Sequence, residues 1–349
     1  MEHTIIVGIA SFGMSGKIFH APLLAHRNNF KIKRIVERTK NEAQKLYPYI
    51  IVSRSFEDLL NDNEIELIVV NTPDQTHFEY AKKSLEANKH VIVEKPLTLT
   101  VAEGEALIEL ARQKGKILSV FQNRRWDGDF LTVQRIVTEQ ILGRLVDYEA
   151  HFDRYRNYIQ TDSWKEKFAS GTGTLFNLGA HMIDQALVLF GMPTAVTAHL
   201  KVVRTGGEID DWYDIRLHYI NVNVNLKASL LVRELGPRYI LHGTNGSFLK
   251  WGLDPQEEAL KQGKNPNNSN WGKESKEWWG LLNIEKDNRQ FREKYETLPG
   301  NYSAFYDNIF ESITCGTELA VKPEEALNVV RIIDAVKKSS AQQKTITTV

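Results

Sequence analysis

Val91-Ile92-Val93-Glu94-Lys95-Pro96 is the stretch of sequence on which the prediction of the fold depends. Its run of β-branched residues predicts a buried parallel strand, and the acid, base and proline that follow predict the end of that strand. Ligands of open α/β sheets bind beyond the carboxyl ends of the strands. Lys95 is therefore expected where a cofactor and a substrate could meet, although a lysine at a strand end is more often a solvated loop residue.

Similar apolar runs recur on both sides of this stretch, with helical patterns between them. They cover residues 4–10, 30–36, 64–70, 90–93 and 117–121. Strands that alternate with helices at this spacing predict βαβ units in a doubly wound parallel sheet, an α/β fold. We expect a Rossmann NAD(P)-binding domain over residues 1–121 and a substrate-binding and oligomerisation domain over residues 122–349. A closing helix over residues 323–340 is expected to pack back on the first domain.

The turn after the first strand has the spacing of a dinucleotide-binding motif. The usual form is G-x-G-x-x-G, and here Ser11 stands at the first glycine while Gly13 and Gly16 stand at the other two. Gly13 would let the backbone approach a pyrophosphate, and Gly16 would let the following helix pack closely on the strand. The alternative is an ordinary βα turn. The predicted cofactor contacts of this turn are Phe12, Gly13, Met14, Ser15 and Gly16.

Two charged residues, Glu37 and Arg38, end the second strand. Their distance along the chain from the glycine turn is that at which an acid meets the adenosine ribose. Glu37 would accept a hydrogen bond from a free 2′-hydroxyl, which favours NAD, whereas Arg38 would pair with a 2′-phosphate, which favours NADP. They could equally be two solvated strand-end charges, so the choice between NAD(H) and NADP(H) stays open.

Further cofactor contacts are predicted after the next strand. Thr72 and Pro73 end the strand over residues 64–70, and Thr72 offers a hydroxyl near the expected nicotinamide ribose. His77 lies in the first turn of the following helix, where a lone histidine is more often a capping or packing residue than a ligand. Glu94 and Lys95 complete this group.

The polar cluster over residues 122–127 follows the last strand of the first domain and contains Asn123 and Arg124. Crevices at domain junctions favour ligands, so both residues are predicted to contact the cofactor. The alternative is a salt-bridged linker between the domains.

The pattern changes in the second half of the chain to long alternating stretches. They cover residues 145–155, 194–204, 213–220, 222–233, 239–242 and 247–251. Alternation predicts mostly antiparallel strands with one face packed and one face available, and the open face of such a sheet is a common dimer surface. Residues 253–300 are rich in Asn, Gly, Pro and charge. A structureless loop of this length is uncommon in a compact domain, so we expect the segment to pack on a partner subunit or to cover the site.

A helical pattern over residues 175–190 places Asn177 and His181 four residues apart on one face. His181 is therefore expected to point into the crevice between the domains, with Asn177 beside it. The alternative is an asparagine helix cap and a hydrogen-bonded core histidine.

Composition argues against several other classes of protein. Lys and Arg together number 44, as do Asp and Glu, and a chain without a basic excess is not a general nucleic-acid binder. Cys315 is the single cysteine, so no intramolecular disulfide forms, which fits a reducing compartment. No apolar run reaches the ~18 residues of a membrane span, and the first residues lack the features of a signal peptide. We expect a cytoplasmic protein without a metal site and without nucleic-acid or membrane partners.

Seven motifs, spread over essentially the whole chain, resemble those of one known family. They are FGMSGKIFHAPLL (12–24), VVNTPDQTHFEYA (69–81), HVIVEKPLTLT (90–100), FQNRRWDGDFLT (121–132), GTGTLFNLGAHMIDQ (171–185), GPRYILHG (236–243) and KYETLPGNY (294–302). Together they resemble the Gfo/Idh/MocA oxidoreductases, the glucose–fructose oxidoreductase and inositol dehydrogenase group, and within it the scyllo-inositol dehydrogenase branch. The resemblance implies a Rossmann domain, an α/β domain with a large open sheet, and NAD(P)-dependent oxidation of a secondary alcohol of a sugar or cyclitol.

The resemblance also implies catalytic roles. Lys95 matches the lysine of the family's EKP motif, and His181 matches the histidine of its D-x-x-x-H motif, in which Asn177 here replaces the aspartate. A neutral amide can orient the histidine but supplies no charge, so either Lys95 and His181 suffice or the activity is reduced or redirected. A polyol needs several donors and acceptors. The predicted substrate contacts are Lys95, Arg124, Asp153, Arg154, Tyr155, His181 and Tyr239.

Two other functions remain open. One is a cofactor-sensing regulator or binding protein on the same fold, which the loss of the acid at Asn177 favours. The other is a different enzyme of the family, such as a biliverdin-type or carbonyl reductase. In each case a homodimer or homotetramer formed through the C-terminal sheet is expected.

Overall fold

The computed structural model describes residues 3–160, 166–167, 169–287 and 289–348. The chain divides into two compact units, each assembled from three segments. The first unit comprises Met1–Trp126, Pro255–Trp271 and Asn301–Leu327, and the second comprises Asp127–Asp254, Gly272–Gly300 and Asn328–Val349. Two later segments of the chain therefore belong to the first unit, so neither compact unit is one continuous stretch of sequence.

The first unit contains a six-stranded parallel sheet in the order β3-β2-β1-β4-β5-β6. Its strands are β1 (Ile5–Ile9), β2 (Phe30–Val36), β3 (Ile51–Ser53), β4 (Leu67–Val70), β5 (His90–Val93) and β6 (Leu118–Val120). The predicted doubly wound parallel sheet is confirmed. The order reverses between β1 and β4, and this switch point is where ligands of such sheets bind.

Short helices connect these strands, and two later helices join the same unit. They are a π-helical turn (Gly16–His20) that continues into α1 (Ala21–Ala25), α2 (Glu42–Leu46), α3 (Glu57–Leu60), α4 (His77–Glu86), α5 (Val101–Lys114), α8 (Gln256–Lys261) and α9 (Ser303–Cys315). The longest of the connecting helices is α5. It begins at a capping box, in which the side chains of Thr100 and Glu103 each accept a hydrogen bond from the other's backbone N–H. It ends at Gly115, whose φ of 60° suits glycine.

The second unit is built on a nine-stranded sheet in the order β14-β13-β12-β11-β7-β10-β9-β8-β15. Its strands are β7 (Leu145–His151), β8 (Ala195–Lys201), β9 (Trp212–His218), β10 (Asn223–Ser229), β11 (Tyr239–Gly243), β12 (Gly246–Lys250), β13 (Gly280–Lys286), β14 (Arg289–Tyr295) and β15 (Ile346–Thr347). The pair β7–β10 is parallel and the other pairs are antiparallel, which confirms the predicted mostly antiparallel sheet.

Alternate residues of the central strands are buried. In the same unit, α7 (Ala180–Phe190) packs against β10 and against α6 (Gly128–Thr138). A π-helical turn, Leu175–Gly179, precedes α7 and carries Asn177. Tyr148 and Tyr213 are fully buried in this core. Period-two burial of apolar side chains explains why these strands are recognisable in the sequence.

No strand or helix was predicted within residues 253–300, yet this segment has regular structure. The segment contains α8, a 3₁₀ turn at Lys276–Trp278 and the hairpin β13–β14. Strand β14 is exposed on both faces at almost every residue, so it has no alternation of apolar and polar residues. The signal on which strand prediction depends is absent from that edge strand.

The last helix, α10 (Pro323–Gln342), crosses the boundary between the units. In its second-unit part, Ser339 and Ser340 accept hydrogen bonds from the backbone of β8, at Ala198 and Leu200. Within the described ranges, no helix is both long enough and apolar enough to cross a membrane.

Candidate active site

Lys95 is the second residue after β5, in a short loop that two buried histidines hold. The half-buried Lys95 donates its backbone N–H to Glu94 Oε2 over 3.2 Å. His20 Nε2 lies 3.0 Å from Glu94 Oε1, and His77 Nδ1 lies 2.8 Å from the carbonyl oxygen of Pro96. The Lys95–Pro96 peptide bond is cis. Both sequence neighbours of Lys95 are thus bonded to buried side chains, which restricts the backbone that carries the lysine.

Glu94 places a negative charge beside the lysine. Burial raises the pKa of Glu94, but the hydrogen bond from His20 and the nearby basic groups, Lys95 and His77 among them, outweigh burial and hold the pKa below its ordinary value. The carboxyl group is therefore ionised at neutral pH. An ionised carboxylate only accepts hydrogen bonds, so it orders the donors around it.

His77, a predicted cofactor contact, is fully buried, and both of its ring nitrogens face backbone carbonyls. Nδ1 faces Pro96 as described, and Nε2 lies 3.0 Å from the carbonyl oxygen of Thr72. Thr72 and Pro73 follow β4, while Pro96 follows β5. The structure therefore places His77 as a link between two strand ends, behind the surface that a ligand would reach.

The glycine turn after β1 is fixed by side chains that the motif does not contain. Ser11 Oγ accepts a hydrogen bond from Gly13 N over 3.2 Å, and Asn71 Nδ2 donates to the Ser11 carbonyl over 2.8 Å. A Cβ on Gly16 would lie 2.3 Å from that carbonyl oxygen, so only glycine fits there. The sequence prediction missed Asn71, although its place directly after β4 was the available signal.

The same turn fits a dinucleotide. Gly13 is exposed, Met14 is 54% exposed, and a Cβ on Gly13 would meet only Ser11 Oγ within 4 Å. Asn71 Oδ1 is buried and has no hydrogen-bond partner in the described part of the chain. Open backbone at the switch point of the sheet suits a pyrophosphate, and an unsatisfied acceptor beside it suits a ribose hydroxyl. Residues 12–16 therefore fit the predicted cofactor.

The two residues at the end of β2 have different surroundings. Glu37 is 7% exposed, and its two oxygens accept hydrogen bonds from the backbone of Glu42 and Ala43 at 3.1 and 2.9 Å, at the start of α2. Arg38 is exposed and, within the described ranges, makes no hydrogen bond or ion pair. Both oxygens of Glu37 therefore bond to the backbone of α2, whereas the Arg38 guanidinium is available to a ligand.

Arg124 and Asn123, both predicted cofactor contacts, are buried at 8% and 5% exposure in a 3₁₀ turn after β6. Arg124 Nη2 lies 2.7 Å from Glu257 Oε2 on α8, in the same unit. Burial raises the pKa of Glu257, but Arg124 and Lys261 outweigh burial and lower the pKa to about 2. The structure therefore places Arg124 in a largely buried ion pair within the first unit.

This ion pair predicts acid-dependent stability. The folded pKa of Glu257 is about 2 against 4.5 for the free group, so its contribution is complete above pH ~4.5 and is lost as the pH falls towards 2. We expect Glu257→Gln to lower the free energy of unfolding by about 2 kcal/mol at pH 7, and by progressively less below pH 4. Urea unfolding at a series of pH values measures this. Glu258→Gln, on the same helix and 66% exposed, is the control, and an equal loss at pH 7 and pH 3 for Glu257→Gln would contradict the prediction.

The second unit carries the other pair of predicted catalytic groups. His181 lies in the first turn of α7 and is 7% exposed, whereas Asn177 is exposed in the preceding π-helical turn. The Asn177 backbone N–H donates to Gly173. The two residues therefore differ in exposure, although they are four residues apart on one continuous helix.

Asp210, which the sequence prediction missed, holds the start of that helix. Its Oδ2 accepts a hydrogen bond from Leu175 N over 2.7 Å, and its carbonyl accepts one from Thr174 N. Gly173 has a φ of 104°, and the Asp210 carboxylate occupies the place of its absent Cβ. Burial raises the pKa of Asp210 to about 6. An acid is thus present in this unit near the helix that carries His181, although none stands at position 177.

Three predicted substrate contacts follow β7. Asp153 accepts a hydrogen bond from Ser229 N over 2.9 Å, and its other oxygen lies 3.0 Å from His151 Nδ1. The Arg154 guanidinium lies over the Phe152 ring at 5.1 Å, and Tyr155, 42% exposed, lies under the Arg233 guanidinium at 4.1 Å. Both residues therefore lie beyond the end of β7, where Tyr155 is exposed and Arg154 is half-buried.

Tyr239, the remaining predicted substrate contact, is fully buried. Its hydroxyl donates to Gln185 Oε1 over 2.8 Å, and burial raises its pKa well above the ordinary value. The structure thus places the hydroxyl inside the core, where it binds α7 to β11, and not on a surface that a sugar could reach.

Comparisons with known proteins cover both units. Residues 3–122 match the family model described as oxidoreductase family, NAD-binding Rossmann fold, and residues 134–348 match its C-terminal alpha/beta domain; both are Gfo/Idh/MocA models. The chain is 40% identical over 343 residues to scyllo-inositol 2-dehydrogenase (NADP(+)) IolW of Bacillus subtilis, covering 98% of this chain and 96% of that protein. It is 37% identical to the oxidoreductase YdgJ of Escherichia coli, over 99% of each chain. Among solved structures, an oxidoreductase of Bacteroides fragilis is 48% identical with a TM-score of 0.91, covering 99% of this chain and 100% of that chain.

Proposed function

The chain belongs to the Gfo/Idh/MocA oxidoreductase family, and we propose that it is an NAD(P)-dependent dehydrogenase that oxidises a secondary alcohol of a cyclitol or sugar. The observation that carries the proposal is Lys95, held on both sides at the end of β5, in the same unit as a turn that fits a dinucleotide. The resemblance to an inositol dehydrogenase supports a cyclitol such as scyllo-inositol as the substrate class.

The residues divide the chemistry as follows. A bound nicotinamide would supply the acceptor for the hydride of the alcohol carbon, and residues 12–16 would hold its dinucleotide. Lys95 hydrogen-bonds the reacting hydroxyl, and His181 takes its proton; a free lysine has a pKa of ~10.4 and is a poor base at neutral pH. Asn177, a neutral amide, orients His181 without adding charge. Lys95 and His181 belong to different units, so their contributions are to be measured in separate variants and in the double variant.

The decisive experiment is a matrix of both cofactors, NAD⁺ and NADP⁺, against a panel of inositols and aldoses. We expect reduction of the nicotinamide with at least one inositol, followed at 340 nm. Cofactor binding without turnover across the whole panel would contradict the proposal and favour a cofactor-sensing regulator. A bilin or simple aldehyde as the better substrate would assign a different reaction within the family.

We further propose a preference for NADP(H). The Glu37 carboxylate is committed to the backbone of α2, while Arg38 is exposed beside it and can pair with a 2′-phosphate. We expect Arg38→Ala to raise the Kd of NADP⁺ about 10- to 100-fold and to leave the Kd of NAD⁺ within about twofold.

Titration of each cofactor by fluorescence or calorimetry measures this preference. Lys31→Ala removes an exposed cation from the same strand and is the control, for which both affinities should be unchanged. A parallel loss of NAD⁺ and NADP⁺ affinity in Arg38→Ala would assign Arg38 to the adenine and not to the phosphate.

The same proposal gives each of the two domains a role. We assign cofactor binding to the domain over residues 1–121 and substrate binding and oligomerisation to residues 122–349, with a homodimer or homotetramer formed through the open face of the nine-stranded sheet. Light scattering on the purified protein gives the oligomeric state, and a monomer at working concentration would remove this assignment.

A further inference from the structure

Three side chains behind Lys95 form a buried chain of hydrogen bonds. His20 is fully buried in the π-helical turn after β1, and Tyr306 is fully buried on α9. The Tyr306 hydroxyl lies 2.6 Å from His20 Nδ1, and His20 Nε2 lies 3.0 Å from Glu94 Oε1. The other oxygen of Glu94 accepts the Lys95 N–H. This series of hydrogen bonds therefore connects α9 to the backbone of Lys95.

The chemistry of the groups gives this chain a direction. The ionised Glu94 only accepts, so His20 Nε2 must carry a proton. A neutral imidazole that donates from Nε2 accepts at Nδ1, and the Tyr306 hydroxyl is the donor there. Burial raises the pKa of Tyr306 well above its ordinary value, so the hydroxyl keeps its proton at every working pH. Each bond thus orients the next group, from tyrosine to histidine to carboxylate.

Aromatic rings enclose the chain. The His20 ring lies 4.5 Å from that of Phe121 between centroids, and the Tyr306 ring lies 5.9 Å from Phe30 in an edge arrangement. Such packing holds both side chains in single rotamers and lowers the local dielectric constant, which strengthens each hydrogen bond. The Glu94 side chain is 15% exposed. A carboxylate with so little access to water that loses its donors would have to be neutralised or to move, and Lys95 would move with it.

We propose that His20 and Tyr306 are positioning residues for Lys95: through Glu94 they fix the backbone from which the lysine ammonium reaches the substrate. The inference rests on the proposed function of Lys95. Neither residue touches the reacting atoms, so their effect is on the placement of the lysine. A small misplacement of a catalytic group is enough to lower the rate, because the reacting atoms must lie within hydrogen-bond reach.

Turnover of the full chain tests this inference with three variants. Tyr306→Phe removes one hydroxyl, and we expect kcat to fall about tenfold while the Kd of the cofactor stays within about twofold. His20→Leu removes both bonds and should lower kcat further, whereas His20→Gln keeps a donor towards Glu94 and should recover part of the loss. A residue with only a structural role would not show this separation of kcat from cofactor affinity, nor the recovery.

The matched control is Tyr148→Phe. Tyr148 is also fully buried, but its hydroxyl has no hydrogen-bond partner among the residues described. The same chemical change there should leave kcat unchanged.

Amide exchange at Lys95, measured by NMR without cofactor or substrate, keeps the test independent of turnover. In Tyr306→Phe and His20→Leu the Lys95 N–H should exchange about tenfold faster, because its acceptor is no longer held. Unchanged exchange and unchanged kcat in both variants would overturn the inference. An absence of wild-type turnover on every polyol would remove the proposed function, and the exchange rates would still decide whether His20 and Tyr306 position Lys95.

Discussion

Lys95→Ala is expected to lower kcat for polyol oxidation by about a thousandfold and to leave the Kd of the cofactor nearly unchanged. In the proposed reaction the lysine supplies the hydrogen bond that draws the reacting oxygen towards its charged form, and such a contact acts mainly in the transition state. An interaction made only in the transition state appears in kcat and in kcat/KM alike. Steady-state kinetics on the best substrate of the cofactor matrix, together with a cofactor titration, measure both parts.

Further variants test the specificity of this expected effect. Lys114→Ala removes an exposed lysine from α5 and should keep kcat within about twofold. His181→Ala should also be slow, and if the two groups act on one oxygen the double variant should be little slower than the worse single variant. Near wild-type turnover in Lys95→Ala would remove the lysine from the reaction and with it the proposed function.

Lys250→Met is expected to cause the largest loss of stability, about 3–5 kcal/mol in the free energy of unfolding. Lys250 is fully buried on β12, and its Nζ donates to the carbonyls of Trp251 and Trp278 at 2.6 and 3.0 Å. It also pairs with Glu274 at 3.0 Å, whose side chain is 6% exposed. Methionine keeps the length of the side chain but leaves a buried carboxylate and two carbonyls without their donor.

The pH dependence distinguishes this cause from a packing defect. Burial raises the pKa of Glu274 even in the presence of the lysine, and without the lysine that pKa should rise further. An acid whose folded pKa lies above its unfolded value costs stability as the pH rises through the unfolded value. The destabilisation of Lys250→Met should therefore grow between pH 5 and pH 8, as measured by urea unfolding followed by circular dichroism.

A second change in the same pair provides the check. Glu274→Gln added to Lys250→Met should restore part of the lost stability, because no charge is then left buried. Lys227→Met is the matched control, since this lysine on β10 is 36% exposed beside Glu149 and should cost less than about 1 kcal/mol. A loss that is the same at pH 5 and pH 8 and is not relieved by Glu274→Gln would show that packing, and not charge, is responsible.

The success of the sequence predictions followed the strength of the local signal. The β-branched runs ending at Val70 and Val93 are buried on both faces in a parallel sheet, and they were predicted close to their observed bounds. Strand β14 was missed because nearly all of its side chains are exposed, so nothing in its composition distinguishes it from a loop.

The candidate site divides in the same way. The positions of Lys95, Gly13 and Gly16 follow from rules about strand ends and close backbone approach, and these rules act over a few residues. The surroundings of Arg124 could not be predicted, since its partner Glu257 lies 133 residues further along the chain. The carboxylate of Glu37 bonds to α2, but its sequence neighbours allow a ribose contact equally well.

The sequence by itself therefore determined the α/β class, the parallel sheet with its glycine turn, the family, and the lysine that ends β5. Periodicity, turn residues and motif spacing are local properties, and one chain segment is enough to specify them. Only the tertiary structure decided which polar side chains face a ligand and which face each other. His20 meets Tyr306 across 286 residues, and many partners satisfy the same donors and acceptors until the fold selects one.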